Sequence, residues 1–140
     1  MSATSAKQHF DDEKKLAKLP QSFPKFMEAL QVPGTANLSS QVFASALRIS
    51  MQQLAYFAGV HRSTLRRAPD NEHAQTFMRE CLQVIRAAED VTGNLPKAVY
   101  WFKNEPLRTF RYHTAEQVVA EGKTANLLDY LESIEAGSQG

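Results

Sequence analysis

Residues 50–67 read SMQQLAYFAGVHRSTLRR. Ser50 followed at the third position by Gln53 is a capping-box pattern, so a helix starts at Met51. Leu54 and Ala55 point inward, and Ala55 is small, as the close crossing of two helices requires. Gly59 falls four residues after Ala55, where a sharp turn most easily takes a positive φ. Val60 plugs the core and Leu65 is the inward residue of a second short helix. His61, Arg62, Ser63, Arg66 and Arg67 then face out. This is the spacing of a helix-turn-helix, which lays one helix across a DNA backbone and the next in the major groove.

A helical hairpin with merely solvated arginines has the same spacing, and charge separates the two readings. From Asn37 to Pro69 there is no Asp or Glu, while Arg48, Arg62, Arg66 and Arg67 are present. A phosphate-facing surface avoids carboxylates because each repels the polyanion. Groove contacts are assigned to His61, Arg62, Ser63 and Arg66, and phosphate contacts to Gln52 and Arg67. One short helix seldom holds DNA alone, so a homodimer on two half-sites is expected.

Outward from this stretch, the chain of 140 residues is the size of one domain or one body with a small appendage. A hydrophobic fraction of 43% suffices for a core. The net charge of +1 conceals an imbalance: residues 1–75 carry nine Lys/Arg against six Asp/Glu, and 76–140 carry seven against nine. A basic front and an acidic rear point to two different partners. Cys81 is the only cysteine, which excludes an intrachain disulfide and fits a reducing cytoplasm. With no apolar run near the ~20 residues a membrane helix needs, and no secretion signal, the expected location is cytoplasmic.

The remaining pattern is helical. Residues 1–9 are polar and expected to fray. Residues 11–19 carry acids first and lysines later, which suits a helix dipole, and Pro20 ends that segment. Residues 24–30 form a short helix and 31–38 a loop broken by Val32-Pro33-Gly34. A helix over 39–48 places Val42, Phe43, Ala46 and Leu47 on one face. In 71–92, Ala74, Phe77, Met78, Cys81, Ile85, Ala88 and Val91 recur at three- and four-residue steps, with Gly93-Asn94 as the stop. Pro96 opens a helix carrying Val99, Tyr100, Trp101 and Phe102. Thr114 with Gln117 makes a second capping box over Val118 and Val119, ending at Gly122. The last helix, 124–136, presents Leu127, Leu128, Leu131 and Ile134, with Gly137 as its stop. The fold class is all-α. The expected organisation is an N-terminal extension (1–38), a helix-turn-helix domain (39–95) and a small helical domain (96–140).

Catalytic patterns are missing. His9, His61, His73 and His113 lack zinc spacings, and no nucleophile–base pairing is visible. Gly122-Lys123-Thr124 echoes the end of a phosphate-binding loop, but Gln117 replaces its first glycine and a helix precedes it. No enzyme activity, metal or cofactor is expected.

In the rear half, Trp101-Phe102, Asn104-Glu105-Pro106-Leu107, Thr114-Ala115-Glu116-Gln117-Val118, Gly122, Leu128, Leu131 and Gly137 occur in an order that resembles the toxin-binding domain of the Xre/MbcA/ParS antitoxins. Residues 39–95 look like the Xre-type helix-turn-helix domain that accompanies it. The linker Thr109–His113 (TFRYH) departs, being bulky and basic where relatives tend to carry a Gly-containing turn. The resemblance implies a type II antitoxin whose partner is a RES-domain toxin, an NAD-depleting enzyme; it would block the toxin's active-site entrance and repress its own operon. NAD would belong to the toxin. Toxin contacts are then expected from Trp101, Leu128, Asp129, Leu131, Glu132, Glu135 and Gly137. Removal of 124–140 is expected to leave the upstream unit folded. The alternative is a helix-turn-helix regulator whose rear half senses a small ligand near Trp101.

Overall fold

A computed structural model describes residues 19–139, with side chains described to residue 137. The expectations for 1–9 and 11–19 lie outside these residues, except for Leu19, which packs against the core. The fold is all-α. Eight helices are described: α1 (Phe23–Leu30), α2 (Ser40–Leu47), α3 (Met51–Ala58), α4 (Arg62–Arg67), α5 (Glu72–Thr92), α6 (Leu95–Asn104), α7 (Ala115–Ala120) and α8 (Thr124–Gln139). A 3-10 turn covers Arg108–Phe110. The described residues form no strand, only the isolated bridges Gln31–Leu38 and Leu107–His113.

Helix α5 is the axis. Asn71 caps its start by accepting from the Ala74 N–H at 3.0 Å, and Gly93 closes it at φ +100. Ala74, Phe77, Met78, Cys81, Ile85 and Ala88 are buried as the periodicity predicts. Leu82 and Val84 are buried too, because α3, α6, α7 and α8 all pack against α5 and cover more than one stripe. Val91, in the last turn, is exposed instead.

Three further expectations change. Val42 stands exposed at 40%; α2 buries Phe43 and Leu47 as expected, together with Ala44, while Ala46 is half-buried. Gly137 does not stop the last helix; α8 continues to Gln139. The proposed boundary at 95/96 divides a single core, since one buried cluster runs from Phe26 through Leu65, Met78 and Phe102 to Leu131. Leu127 and Leu131, one turn apart on α8, are 0% and 2% exposed. Removal of 124–140 therefore strips apolar cover from α5, and independent folding of the upstream unit is not expected from this packing.

The TFRYH linker shows why a glycine is the easier solution there. Arg111 and Tyr112 both adopt left-handed backbone, at φ +57 and +65. Each costs about 1–2 kcal/mol for a residue with a Cβ. The turn holds through Tyr112 N–H to Leu107 C=O (2.8 Å), His113 N–H to Phe110 C=O (3.0 Å) and Leu107 N–H to His113 C=O (2.9 Å).

Gln75 locks the front of the molecule to the axis. Its side chain is 2% exposed; Nε2 donates to the carbonyls of Leu38 (2.9 Å) and Pro69 (3.0 Å), and Oε1 accepts from the Leu38 N–H (2.9 Å). One amide thus satisfies three backbone groups from both ends of the α2–α4 segment. Stranding buried backbone groups costs about 1–3 kcal/mol each. Gln75→Ala is therefore expected to lower unfolding free energy by about 2–4 kcal/mol in urea melts; a loss below about 1 kcal/mol contradicts the lock.

Candidate nucleic-acid interface

The α3–α4 unit is assembled by local signals. The capping box at Ser50 is complete: its Oγ accepts from the Gln53 N–H at 3.0 Å, and Gln53 Oε1 accepts from the Ser50 N–H at 3.0 Å. At the other end Gly59 sits at φ +74, ψ +30, and the Val60 N–H returns to the Ala55 carbonyl at 3.0 Å. A left-handed residue here reverses the chain, and glycine adopts it without the Cβ clash. Leu54, Ala55 and Leu65 are buried, while Val60 is only half-buried.

With Leu65 fixed inward, the rest of α4 turns to solvent. His61 is its N-cap residue, without a side-chain cap bond, and Arg62 and Ser63 form the first turn. Arg66 and Arg67 occupy the last turn, where their charge suits the helix dipole. His61, Arg62, Ser63, Arg66 and Arg67 are all exposed, as is Gln52 in the first turn of α3. Arg62, Arg66 and Arg67 make no ion pair or hydrogen bond among the described residues. Tyr56, one turn after Gln52, is 82% exposed and was not singled out by the pattern. A large exposed aromatic inside an acid-free stretch is the signal that marks it.

Arg62 and Arg66 line a cleft of about 580 Å³ together with Ser39, Ser40, Gln41 and Asp70. Asp70, the first acid after the acid-free stretch, thus lies on the same cleft as two of the arginines.

The expected protein-binding residues distribute differently. Asp129 and Glu132 are exposed on α8, Leu128 and Trp101 are half-buried, and Glu135 is half-buried and already engaged in an interaction. Gly137 is exposed within the helix. Leu131 is corrected: at 2% exposure it is a core residue of this chain and not a direct contact.

Behind α8 lies a charged centre that spacing alone did not flag. Glu116 is 6% exposed and its Oε2 has no hydrogen-bond partner. Burial raises its pKa from 4.5 to about 7, against the opposing pull of Lys103. Lys103 Nζ also donates to the Arg48 carbonyl at 3.3 Å. Burial, aided by the charges of Glu116 and Glu80, keeps the Cys81 thiol well above its usual pKa, so it is inert as a nucleophile. Glu80 meanwhile accepts from Thr124 Oγ1 at the start of α8. No group of His, Cys, Asp and Glu among the described residues is arranged to hold a metal ion. No helix among them is long and apolar enough to cross a membrane.

No family model matches the chain, and no curated protein or solved structure matches it. The resemblance to the Xre/MbcA/ParS antitoxins is therefore carried by the quoted residues alone.

Glu116 also makes stability depend on pH. Its folded-state pKa lies above the unfolded value, so the folded chain binds the proton more tightly. The stabilisation is full below pH 4.5 and is lost as pH rises through about 7. The groups facing it are Lys103 on α6 and Cys81 on α5. At 1.36 kcal/mol per pH unit the loss is about 3 kcal/mol. Glu116→Gln is expected to remove this decline, so that variant and wild type diverge in denaturation midpoint between pH 4.5 and 7; parallel profiles contradict the assignment.

Proposed function

We propose that the chain is the antitoxin of a type II toxin–antitoxin pair. In this reading a homodimer binds operator DNA through α3 and α4, and α8 together with Trp101 of α6 engages a RES-domain toxin. The observation that carries the DNA part is the unpaired, exposed display of Arg62, Arg66 and Arg67 on a helix anchored by one buried leucine. Unpaired arginines keep all their donors available for guanine edges and phosphates. The rigid Gly59 turn and the capping box fix that display before any ligand arrives, which lowers the ordering cost of binding.

Support for the toxin part comes from the motif order and from charge. Asp129 and Glu132 leave α8 with an acidic outer face. Such a face complements a cationic entrance built to receive a pyrophosphate. The reading assigns no cofactor to this chain.

Each bidentate Arg–guanine contact is worth about 1–3 kcal/mol. Arg62→Ala and Arg66→Ala are each expected to weaken binding to the DNA upstream of the chain's own gene by about tenfold or more, read by fluorescence anisotropy. Arg67→Ala is expected to lower the slope of log affinity against log salt by about 0.9. Unchanged affinity in both groove variants removes α4 from the interface.

Because α8 belongs to the core, the toxin part is tested by surface substitutions and not by truncation. Asp129→Lys with Glu132→Lys is expected to abolish growth protection against a co-expressed neighbouring RES-domain toxin, with DNA affinity unchanged. Full protection by a folded double variant excludes this face.

A further inference from the structure

The turn between α6 and α7 repeats the charge pattern of the α3–α4 unit. From Pro106 to Ala115 there is no Asp or Glu, while Arg108, Arg111 and His113 are present. Of the flanking carboxylates, Glu116 is buried and Glu121 is held by His113 Nδ1 and Lys123 Nζ, which leaves Glu105 exposed after α6. Arg108 and Arg111 are exposed, and their side chains make no ion pair or hydrogen bond among the described residues. Tyr112 is 65% exposed. Arg111 and Tyr112 hold left-handed backbone that glycine would adopt without a Cβ clash. No side-chain hydrogen bond, ion pair or ring contact of either residue offsets that strain among the described residues. Strain kept in this way is characteristic of functional positions. The display is also fixed in advance, because Phe110 packs edge-on against Tyr130 of α8 at 5.7 Å between ring centres. The turn lies beside α3. His113, Gln117 and Glu121 line a groove of about 420 Å³ together with Tyr56 and Phe57. Tyr56 follows Gln52 by one helical turn, and both are exposed.

We propose that the Arg108–Tyr112 turn is a second contact of the nucleic-acid surface, with Arg108 and Arg111 on duplex phosphates and the Tyr112 and Tyr56 hydroxyls donating to phosphate oxygens beside them. Exposed guanidiniums and tyrosine hydroxyls are common donors to the DNA backbone. The inference rests on the DNA reading of α3 and α4 and brings the rear half of the chain into that interface. Such contacts fix the position of the protein on the duplex and read no bases. Their loss therefore weakens binding to every sequence alike, whereas loss of an α4 groove contact falls on the specific site.

The test measures duplex binding by the full chain, by fluorescence anisotropy over a salt series. The probes are the DNA upstream of the chain's own gene and an unrelated duplex. The variant is Arg108→Ala combined with Arg111→Gly. Glycine at 111 relieves the left-handed strain, so this variant is expected to unfold in urea at or above the wild-type midpoint. Loss of two phosphate contacts is expected to lower the slope of log affinity against log salt by about 1.8 and to weaken both probes about tenfold. Arg108→Gln with Arg111→Gln, which leaves the backbone strain in place, is expected to give the same slope. Unchanged affinity and slope in both double variants, with Arg62→Ala and Arg66→Ala weakened, overturns the turn as a contact and leaves the DNA reading standing. Weakening by the turn variants while both α4 variants bind normally supports the turn and removes α4. A loss confined to the upstream DNA overturns the phosphate assignment. Normal DNA binding with lost growth protection against the co-expressed toxin overturns it in favour of a protein contact. A wild-type chain that binds neither duplex overturns the DNA reading and this inference with it.

Discussion

Everything in this molecule depends on covering α5 from several sides at once. An isolated helix, even a long one, is marginal in water, and its stability comes from packing an apolar face. Here Met78, Cys81, Val84, Ile85 and Ala88 are all completely buried, more of the circumference than one stripe contains. Helices α3, α6, α7 and α8 each supply part of the cover. The front and rear of the chain are thus stabilised by a shared element. The uneven charge of the two halves is laid over one core rather than over two.

That arrangement explains which features the sequence displays. A capping box, a left-handed glycine and an i, i+3, i+4 stripe are decided by residues within one or two turns of each other. Ser50 with Gln53, Gly59, Thr114 with Gln117 and the α5 stripe accordingly form as the sequence predicts. Gln75 lies one heptad before the buried Leu82 and so falls on a core-facing position, but its partner Leu38 is 37 residues away. Nothing local reveals that pairing. Leu131 and Gly137 fail for the same reason in opposite directions. The α8 leucines alone do not tell whether α5 or another molecule will cover them, and a glycine in a helix stops it only when its backbone turns left-handed.

Glu116 shows the limit more sharply. Within Thr-Ala-Glu-Gln-Val it occupies the second position of a capped helix, where an acid suits the dipole and is ordinarily solvated. Its burial comes from tertiary packing, with α5 supplying Cys81 and α6 supplying Lys103. A carboxyl in that setting is held near neutrality at the boundary of its own titration. The centre thus stores destabilisation above neutral pH that a neutral side chain of the same shape would not. A purely structural core has little use for such a group, since apolar replacements of buried charges are often neutral or stabilising.

On the reading proposed above, the shared axis also constrains how two partners can be served. Arg62, Arg66 and Arg67 on α4 and Asp129 and Glu132 on α8 have no residue in common, so occupancy of one surface does not consume the other. Yet the segment after α4 is tied to α5 by the Gln75 bond to the Pro69 carbonyl, and Leu65, Leu127 and Leu131 all belong to the same buried cluster as the α5 stripe. A ligand can alter a distant affinity only by differential binding to two states of what lies between. A close-packed helix with its stripe fully buried offers few such states, because interiors of this density resist graded deformation. Within the core, a group that can change state at modest cost is the buried Glu116 of α7, whose pKa burial raises to about 7 beside Cys81 of α5 and Lys103 of α6. On the reading proposed above, a packed axis of this kind holds both faces in position and does not itself choose between states.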